Sequence, residues 1–400
     1  MAGVNAQRST VTWGKSGLAQ DVAVRRLEDT PANREKLMKE ASKDRKPSAV
    51  VDLGKDVVLL SSAYLATESK IANSSGPLLK AGRSVSVDGI EGKILSTDDG
   101  FAEIDASKVI VAVLDTGIDM DHPAFEGRIV KPYDATTGGT DVTDTQGHGT
   151  HVAGIIAGEW GVKDGAGGVA RDAQIMPVKV FGKNGKAEPR HVAEGIRYAA
   201  DNGAKVINMS LGANEAAMKK AGLLDQLPEF KEAVAYAQSK GVVVIAASGN
   251  DGKDDISTYH PASLPDVLTV GAVNSSHKRA SFSNGGAELE LTAPGVDILS
   301  AIPGEGATYK KLQGTSMAAP YVAGAAALVI AQNPDWTAEQ VMEHLTRAVD
   351  DRGKAGKDIA YGHGEINLFK AAFGENLPAA PAPQPKRSFG EKIAEFFGTN

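Results

Sequence analysis

Three short segments of this 400-residue chain each combine a reactive side chain with glycine residues that allow the backbone to come close. The segments are VLDTGID at 113–119, GHGTHVAGI at 147–155 and GTSMAAP at 314–320. Their reactive groups are Asp115, His148 and Ser316. A serine hydroxyl becomes a nucleophile when an imidazole accepts its proton, and the imidazole needs a carboxylate to hold its tautomer. The combination therefore predicts nucleophilic catalysis by a Ser-His-Asp triad.

Each of these residues, taken singly, also has a structural interpretation. Asp115 could be a turn aspartate, His148 a structural histidine at a helix start, and Ser316 the N-cap of the Ala-rich helical run that follows it. The order Asp, His, Ser along the chain is nevertheless one of three orders in which the triad occurs, and it differs from the order in α/β-hydrolases. The combination, rather than any single residue, carries the prediction.

The pair His148 and His151 forms an HxxH pattern that raises the question of a zinc site. The metalloprotease motif spaces its histidines four apart with an intervening glutamate, whereas Gly149 and Thr150 lie between these two. We therefore predict no zinc site here and expect His151 to be a buried, hydrogen-bonded residue of the helix.

Apolar runs alternate with amphipathic stretches from residue 109 onward. The strand candidates are 109–115, 175–181, 205–211, 242–248 and 267–273. Their nearly continuous apolar character is typical of strands buried on both faces. The alternation with helical patterns predicts an α/β fold, with a mostly parallel sheet covered by helices on both faces. Ligands of such sheets bind at the carboxyl ends of the strands, which is where Asp115 is expected.

Composition and charge exclude several classes of function. The net charge of −7 provides no basic field for a nucleic acid, and the absence of cysteine excludes a thiol nucleophile and thiolate metal sites. No apolar run has the length of a signal-peptide core or of a transmembrane segment of about 20 residues. We therefore expect a chain without a transmembrane segment, located in the cytoplasm, with signal-independent secretion as an open alternative.

The three segments resemble the active-site motifs of the subtilisin family of serine endopeptidases. The resemblance runs from about Ser84 to Phe373 and includes ASFSNGGAELELTAPGVDILSAIPG and YGHGEINLFKA. It implies a three-layer subtilisin-like fold and a peptidase that needs no cofactor for its chemistry. It also implies roles for the triad, with Asp115 as the orienting carboxylate, His148 as the general base and acid, and Ser316 as the nucleophile.

The same resemblance implies an oxyanion hole and a peptide-binding edge. Asn250 in AASGNDG matches the family's oxyanion-hole asparagine, and the backbone N–H of Ser316 would be the second donor. Protein or peptide substrates in extended conformation would pair with the backbone of this edge. The residues implied for substrate binding are Ser210, Leu211, Gly212 and Gly249, with Gly182 near the opposite rim.

Two groups of aspartates leave alternatives open. Asp251, Asp254 and Asp255 could favour a basic residue before the cleaved bond, or they could form a solvated acidic turn. The position matching a family calcium ligand is Ala124, so structural calcium has weak support in this chain. The remaining oxygen ligands to consider for calcium are Asp119, Asp121 and Asp164.

Changes in composition divide the chain into four parts. The expected boundaries are 1–83 for an N-terminal region, 84–375 for the peptidase domain, 376–387 for a Pro-rich linker and 388–400 for an amphipathic helix. The N-terminal region has the size of a family prosegment but no motif that resembles one. The final helix either docks on its own domain or binds a partner or a membrane surface. We expect a monomer.

Two alternative functions remain open. The DTG sequence at Asp115 occurs in aspartic peptidases, but that chemistry needs two such aspartates and this chain would have to form a homodimer to supply them. The second alternative is a catalytically silent, subtilisin-like binding module.

Overall fold

The structure is a computed structural model, and its described residues fall into two compact units divided at Ile104. It describes residues 7–13, 18–28, 30, 48–52, 56–61, 84–87, 90–98, 104–159 and 167–373. The predicted linker at 376–387 and the predicted helix at 388–400 lie outside the described residues.

Six antiparallel strands of the first unit close into a barrel with the order β1-β2-β4-β3-β6-β5. Strands β1 to β6 are Gln7–Trp13, Leu18–Glu28, Ser48–Asp52, Asp56–Ser61, Ser84–Val87 and Ile90–Asp98. The expected boundary at residue 84 differs from this division, because β5 pairs with β1 and β6 pairs with β3 within the barrel. Pairing between strands so far apart in the chain leaves no local signal in the sequence.

The second unit contains a nine-stranded sheet with the order β18-β19-β15-β14-β12-β10-β7-β9-β8. These strands, in chain order, are Ile110–Asp115 (β7), Tyr133–Asp134 (β8), Gln174–Lys179 (β9), Val206–Met209 (β10), Val243–Ala247 (β12), Val267–Val273 (β14), Leu291–Pro294 (β15), Val349–Asp350 (β18) and Glu365–Ile366 (β19). Only β18 runs antiparallel to its neighbour in this sheet. The predicted mostly parallel sheet is therefore confirmed.

Two small antiparallel pairs of strands complete the sheets of this unit. They are Ala213–Asn214 (β11) with Tyr259–His260 (β13), and Ile298–Ala301 (β16) with Tyr309–Leu312 (β17).

Seven α-helices and two short 3-10 helices accompany the sheet in the described part of the chain. The α-helices are His148–Ala157 (α1), Pro189–Asp201 (α2), Glu215–Ala221 (α3), Leu227–Ser239 (α4), Thr315–Gln332 (α5), Ala338–Arg347 (α6) and Leu368–Phe373 (α7). The 3-10 helices are Pro123–Phe125 and Leu224–Gln226.

Alternating residues of the central strands face different helices. Leu114, Ile207 and Val244 belong to a buried apolar cluster that includes Val192 of α2 and Val234 of α4. Helix α5 packs on α1 and against five strands of the same sheet, β7, β10, β12, β14 and β15. The sheet is thus the middle layer of the unit, as a strand face buried on each side requires.

Helix α5 is apolar along most of its length. By length and composition it could cross a membrane, with a mean hydropathy of 1.3, but 78% of its residues are buried inside the structure. Because most of the helix is buried against the sheet, its apolar composition is that of a helix in the core of the protein.

The carboxyl ends of three neighbouring strands meet at one edge of the sheet. Asp115 ends β7, Ser210 follows the end of β10, and Asn250 lies three residues beyond the end of β12. Since these strands are parallel neighbours, the fold collects their chemically active residues at the edge where such sheets bind ligands.

Candidate active site

Asp115 and His148 form a hydrogen-bonded pair at the carboxyl edge of the sheet. Nδ1–H of His148, the first residue of α1, donates to Oδ1 of Asp115 at 2.7 Å. The same oxygen accepts the backbone N–H of Thr116 at 2.7 Å. Asp115 is completely buried, whereas about a third of the His148 side chain is exposed. A carboxylate on Nδ1 leaves Nε2 of the neutral imidazole free to accept a proton.

The surroundings of His148 favour its charged form. Burial opposes the imidazolium, but the charge and hydrogen bond of Asp115, together with the charge of Asp144, outweigh it and raise the pKa of His148 above its usual value. A cation that forms on this ring during catalysis is therefore stabilised by two carboxylates.

Ser316 is the second residue of α5, whose N-cap is Gly314. The interpretation of Ser316 as an N-cap is therefore wrong. Its hydroxyl donates to the backbone oxygen of Ser210 at 3.1 Å, and the Ser210 hydroxyl donates to the backbone oxygen of Ser316 at 2.8 Å. No hydrogen bond joins Ser316 to His148 among the described residues. Catalytic hydrogen bonds are often long or poorly aligned without substrate and tighten in the complex.

The side-chain amide of Asn250 and the backbone N–H of Ser316 lie beside each other at the start of α5. Oδ1 of Asn250 accepts the N–H and the hydroxyl of Thr315 at 2.9 and 3.0 Å, so its Nδ2 is left available as a donor. Ser316 N–H lies in the first turn of α5, where backbone donors have no helical partner. A Cβ on Gly314 would lie 3.5 Å from Asn250 Nδ2 and 3.6 Å from Ser316 N, so both donors border the same small space. The arrangement can stabilise an oxyanion.

The segments expected to bind substrate lie beside these groups. Ser210 contacts Ser316, as described above, and Gly249 N–H donates to the Thr315 hydroxyl at 3.2 Å. Leu211 and Gly212 line a cavity of about 300 Å³ whose other walls are mostly apolar. Further residues lining this cavity are Phe181, Val192, Met218 and Phe230. The predicted peptide-binding edge therefore borders a space suited to an apolar side chain.

Tyr259 and Thr315 are residues of the site that the sequence patterns did not reveal. A Cβ on Gly212 or Gly249 would lie 2.6 or 2.7 Å from the nearest ring atom of Tyr259, so both glycines are needed for this packing. Thr315 orients Asn250 through the hydrogen bonds given above. A single Tyr in the two-residue strand β13 carries no signal of such packing, and only the GTS sequence at the start of α5 could have pointed to Thr315.

Gly182 and the acidic group after Asn250 lie in loops. Gly182 N–H donates to the backbone oxygen of Lys186 at 3.0 Å, which closes a turn. Asp251, Asp254 and Asp255 are exposed, and Asp254 pairs with Arg279 at 2.6 Å. This favours the solvated acidic turn over a subsite for a basic side chain.

His151 and Asp119 occupy structural positions. His151 is completely buried, its Nε2 lies 3.0 Å from the backbone oxygens of Ile298 and Lys310, and burial lowers its pKa to about 4. The prediction of a buried, hydrogen-bonded histidine is confirmed. Asp119 accepts the backbone N–H groups of Asp121 and Gly304 at 3.1 and 3.4 Å.

The acidic side chains that the structure describes do not gather into a calcium site. Within 104–159 and 167–373, no group of three or more His, Asp or Glu side chains is placed to hold a metal ion. Asp164 lies outside the described residues. The position expected to supply a carboxylate is Ala124, which is buried.

Comparison with known proteins identifies one family. The sequence profile described as the Subtilase family matches residues 106–364. A thermophilic serine proteinase of Bacillus sp. (strain AK1) is 40% identical over 261 residues, which are 65% of this chain and 61% of that protein. Subtilisin BL of Lederbergia lenta is 41% identical over 265 residues, which are 66% of this chain and 91% of that protein.

Solved structures give the same result. A cold adapted subtilisin-like serine proteinase has a TM-score of 0.57 and 34% identity, covering 66% of this chain and 90% of that one. A lanthipeptide protease has a TM-score of 0.60 and 28% identity, covering 69% of this chain and 90% of that one.

Proposed function

The chain belongs to the subtilase family, and from that premise we propose that it is a serine endopeptidase that cleaves peptide bonds through an acyl-enzyme on Ser316. The observation that carries the proposal is the 2.7 Å hydrogen bond between Asp115 and His148, at the sheet edge where Ser316 and Asn250 also lie. Because the family's chemistry uses only protein side chains and backbone donors, no cofactor takes part.

Acylation begins when the carbonyl carbon of the substrate lies next to Ser316 Oγ. The hydroxyl turns from the Ser210 carbonyl toward His148, whose Nε2 takes the proton as Oγ bonds to the carbon. Nδ2 of Asn250 and the N–H of Ser316 donate to the oxyanion. Asp115 stabilises the imidazolium without taking its proton.

Collapse of the tetrahedral intermediate breaks the carbon–nitrogen bond. His148 gives its proton to the leaving amine, and the acyl group stays on Ser316 Oγ. A water molecule then transfers one proton to Nε2 and attacks the ester carbon. The second collapse returns that proton to Ser316, releases the carboxylic acid and restores the starting enzyme.

The substrate is an extended stretch of a protein or peptide. Backbone pairing with the segment from Ser210 to Gly212 would bind many sequences, so side-chain pockets must provide the selectivity. The apolar cavity beside Leu211 and Gly212 supports preference for an apolar side chain on the acyl side of the cleaved bond.

The geometry argues against both alternative functions. In an aspartic peptidase Asp115 would share a proton with a second carboxylate, whereas here it accepts the Nδ1–H of His148. A silent binding module has no need for two donors, Asn250 Nδ2 and Ser316 N–H, that border one small space and have no acceptor within the described part of the chain. Incubation of the purified chain with casein tests the proposal, since an endopeptidase yields internal fragments, and intact casein would contradict it.

The pH dependence of kcat/KM follows from the ionisation of His148. We expect kcat/KM to rise with pH, because only the neutral imidazole accepts the serine proton. Since the pKa of His148 is raised, the midpoint should lie above the usual histidine value of 6.5. Initial rates on a peptide amide at substrate concentrations far below KM give this profile. A rate independent of pH between about 5 and 8 would contradict the role of His148.

Replacing Asn250 with alanine removes one of the two oxyanion donors. We expect kcat to fall by about 10²- to 10³-fold, the magnitude known for the corresponding donor of a subtilisin, while KM changes little. The reason is that the charge on the carbonyl oxygen develops only in the transition state. Steady-state kinetics on a chromogenic peptide measure both constants. A loss confined to KM would instead assign Asn250 to ground-state binding.

A further inference from the structure

A second carboxylate, that of Asp144, lies in the loop that leads into α1. Only 4% of this residue's surface is exposed. On the premise that Ser316 and His148 act as proposed above, we infer that Asp144 is a positioning residue that fixes the start of α1, and hence the His148 imidazole, against Asp115. It touches no reacting atom.

Asp144 accepts five hydrogen bonds. Its Oδ1 accepts from the Thr116 hydroxyl at 2.9 Å and from the backbone N–H groups of Gln146 and Gly147 at 3.0 and 2.8 Å. Its Oδ2 accepts from the backbone N–H and the hydroxyl of Thr150 at 2.9 and 2.7 Å. Both oxygens are thus used, and the side chain has no freedom to rotate without losing buried hydrogen bonds.

These bonds connect the end of β7 to the start of α1. Thr116 donates its N–H to Asp115 and its hydroxyl to Asp144, and the same hydroxyl accepts the N–H of Gly149 at 2.9 Å. Asp144 in turn binds the residues on both sides of His148 in the chain, Gly147 and Thr150. An unbroken network therefore joins the Asp115 carboxylate to the backbone that carries the imidazole.

The start of α1 needs such a carboxylate because its own N-cap residue supplies none. Gly147 is the N-cap and has no side chain, so its capping function passes to Asp144. The positive end of the helix dipole also favours a negative charge here. Burial raises the pKa of Asp144, but the hydrogen bonds from Thr150, Gly147 and Gln146 outweigh it and lower that pKa. The Asp144 carboxylate is therefore negatively charged at neutral pH.

Two carboxylates, those of Asp115 and Asp144, supply negative charge to the His148 imidazole. On α1 itself, His151 is neutral because burial lowers its pKa to about 4. On β9, the Lys179 ammonium donates to the backbone oxygens of Thr116 and Thr143 at 3.0 and 2.5 Å. On β7, Asp115 is the direct partner of the imidazole. The charge on Asp144 therefore adds to that of Asp115.

Three variants separate geometry from charge. Asp144→Asn removes the charge and replaces one of the two acceptor oxygens with an amide donor, which faces either the Thr150 N–H or the N–H groups of Gln146 and Gly147. Thr116→Val removes the bridging hydroxyl and keeps the charge. Asp141→Asn is the matched control, because Asp141 is an exposed aspartate of the same loop. Among the residues that the structure describes, its carboxylate accepts hydrogen bonds from Thr143 alone.

For Asp144→Asn we expect kcat to fall by about 10²-fold with KM nearly unchanged, because a misplaced imidazole impairs proton transfer and not substrate binding. The midpoint of its kcat/KM profile should move to lower pH, since the imidazolium loses a favourable charge. Thr116→Val should lower kcat without moving the midpoint. Asp141→Asn should match the wild-type chain in kcat and midpoint.

The midpoint does not depend on how much of the protein is folded, so partial misfolding cannot imitate its movement. A folded Asp144→Asn variant with wild-type kcat and midpoint would overturn the proposal, as would an equal movement of the midpoint in Asp141→Asn. If Asp144→Asn yields no folded protein by circular dichroism, Thr116→Val decides. Wild-type kcat in that variant then overturns the proposal, and a loss of kcat at constant KM supports it.

Discussion

Ser316→Ala is expected to abolish hydrolysis of casein and of chromogenic peptides. Without the hydroxyl no acyl-enzyme can form, and the loss in kcat should be about 10⁶-fold, the magnitude known for removal of the nucleophile from a subtilisin. The fold should survive, because the Ser316 side chain is only partly buried and donates one hydrogen bond, to the Ser210 carbonyl. Rates are compared at equal concentrations of folded protein.

The same substitution at a serine outside the site is the control for Ser316→Ala. Ser276 is an exposed serine in a turn, and no hydrogen bond of its hydroxyl is present among the described residues, so Ser276→Ala should retain the wild-type rate. Casein hydrolysis that persists in Ser316→Ala, at more than a trace of the wild-type rate, would mean that another group attacks the peptide bond.

Asp115→Asn should lower kcat by about 10⁴-fold, the magnitude known for this change in a serine peptidase of another fold. The Oδ1 atom of Asp115 accepts both the His148 Nδ1–H and the Thr116 N–H. If the asparagine oxygen stays with the Thr116 N–H, its amide NH₂ turns toward the buried Oδ2 side and the imidazolium loses its counter-charge. If the NH₂ faces Nδ1, it selects the tautomer that carries its proton on Nε2, which cannot accept the serine proton.

The change should appear in kcat, with KM close to that of the wild type, because Asp115 is buried and lies behind the imidazole. Asp121→Asn, an exposed aspartate of the following loop, is the charge-matched control and should leave kcat unchanged. A wild-type kcat in Asp115→Asn would remove Asp115 from the mechanism. It would also leave the 2.7 Å bond to His148 as a purely structural contact.

The central part of the fold could be predicted from local patterns. Runs such as 109–115 and 242–248 are apolar up to their last residue. They contain β7 and β12, because a parallel strand covered on both faces needs that composition. Thr337 and Gln340 form a capping box at the start of α6, and their spacing of three residues indicates such a helix start in the sequence. Asp115 lies at the carboxyl end of a strand, as the end of its apolar run indicates.

Other features depend on contacts between distant parts of the chain. Strands β5 and β6 belong to the first unit, because β5 pairs with β1 and β6 pairs with β3. These partners lie tens of residues earlier in the chain and leave no local signal in the sequence. The packing of Tyr259 between two glycines, and the network around Asp144, likewise join segments that no short motif contains. The sequence could indicate which residue types carry the chemistry, but not which buried neighbours hold them.

The most direct test of the triad is the site of covalent labelling by a fluorophosphonate. The reagent phosphonylates a serine whose hydroxyl is activated by a neighbouring imidazole, with loss of fluoride. Peptide mass spectrometry of the labelled chain should locate a single adduct on Ser316, and His148→Ala should prevent its formation. A chain that hydrolyses casein but carries the adduct on another residue, or labels Ser316 equally well without His148, would contradict the account.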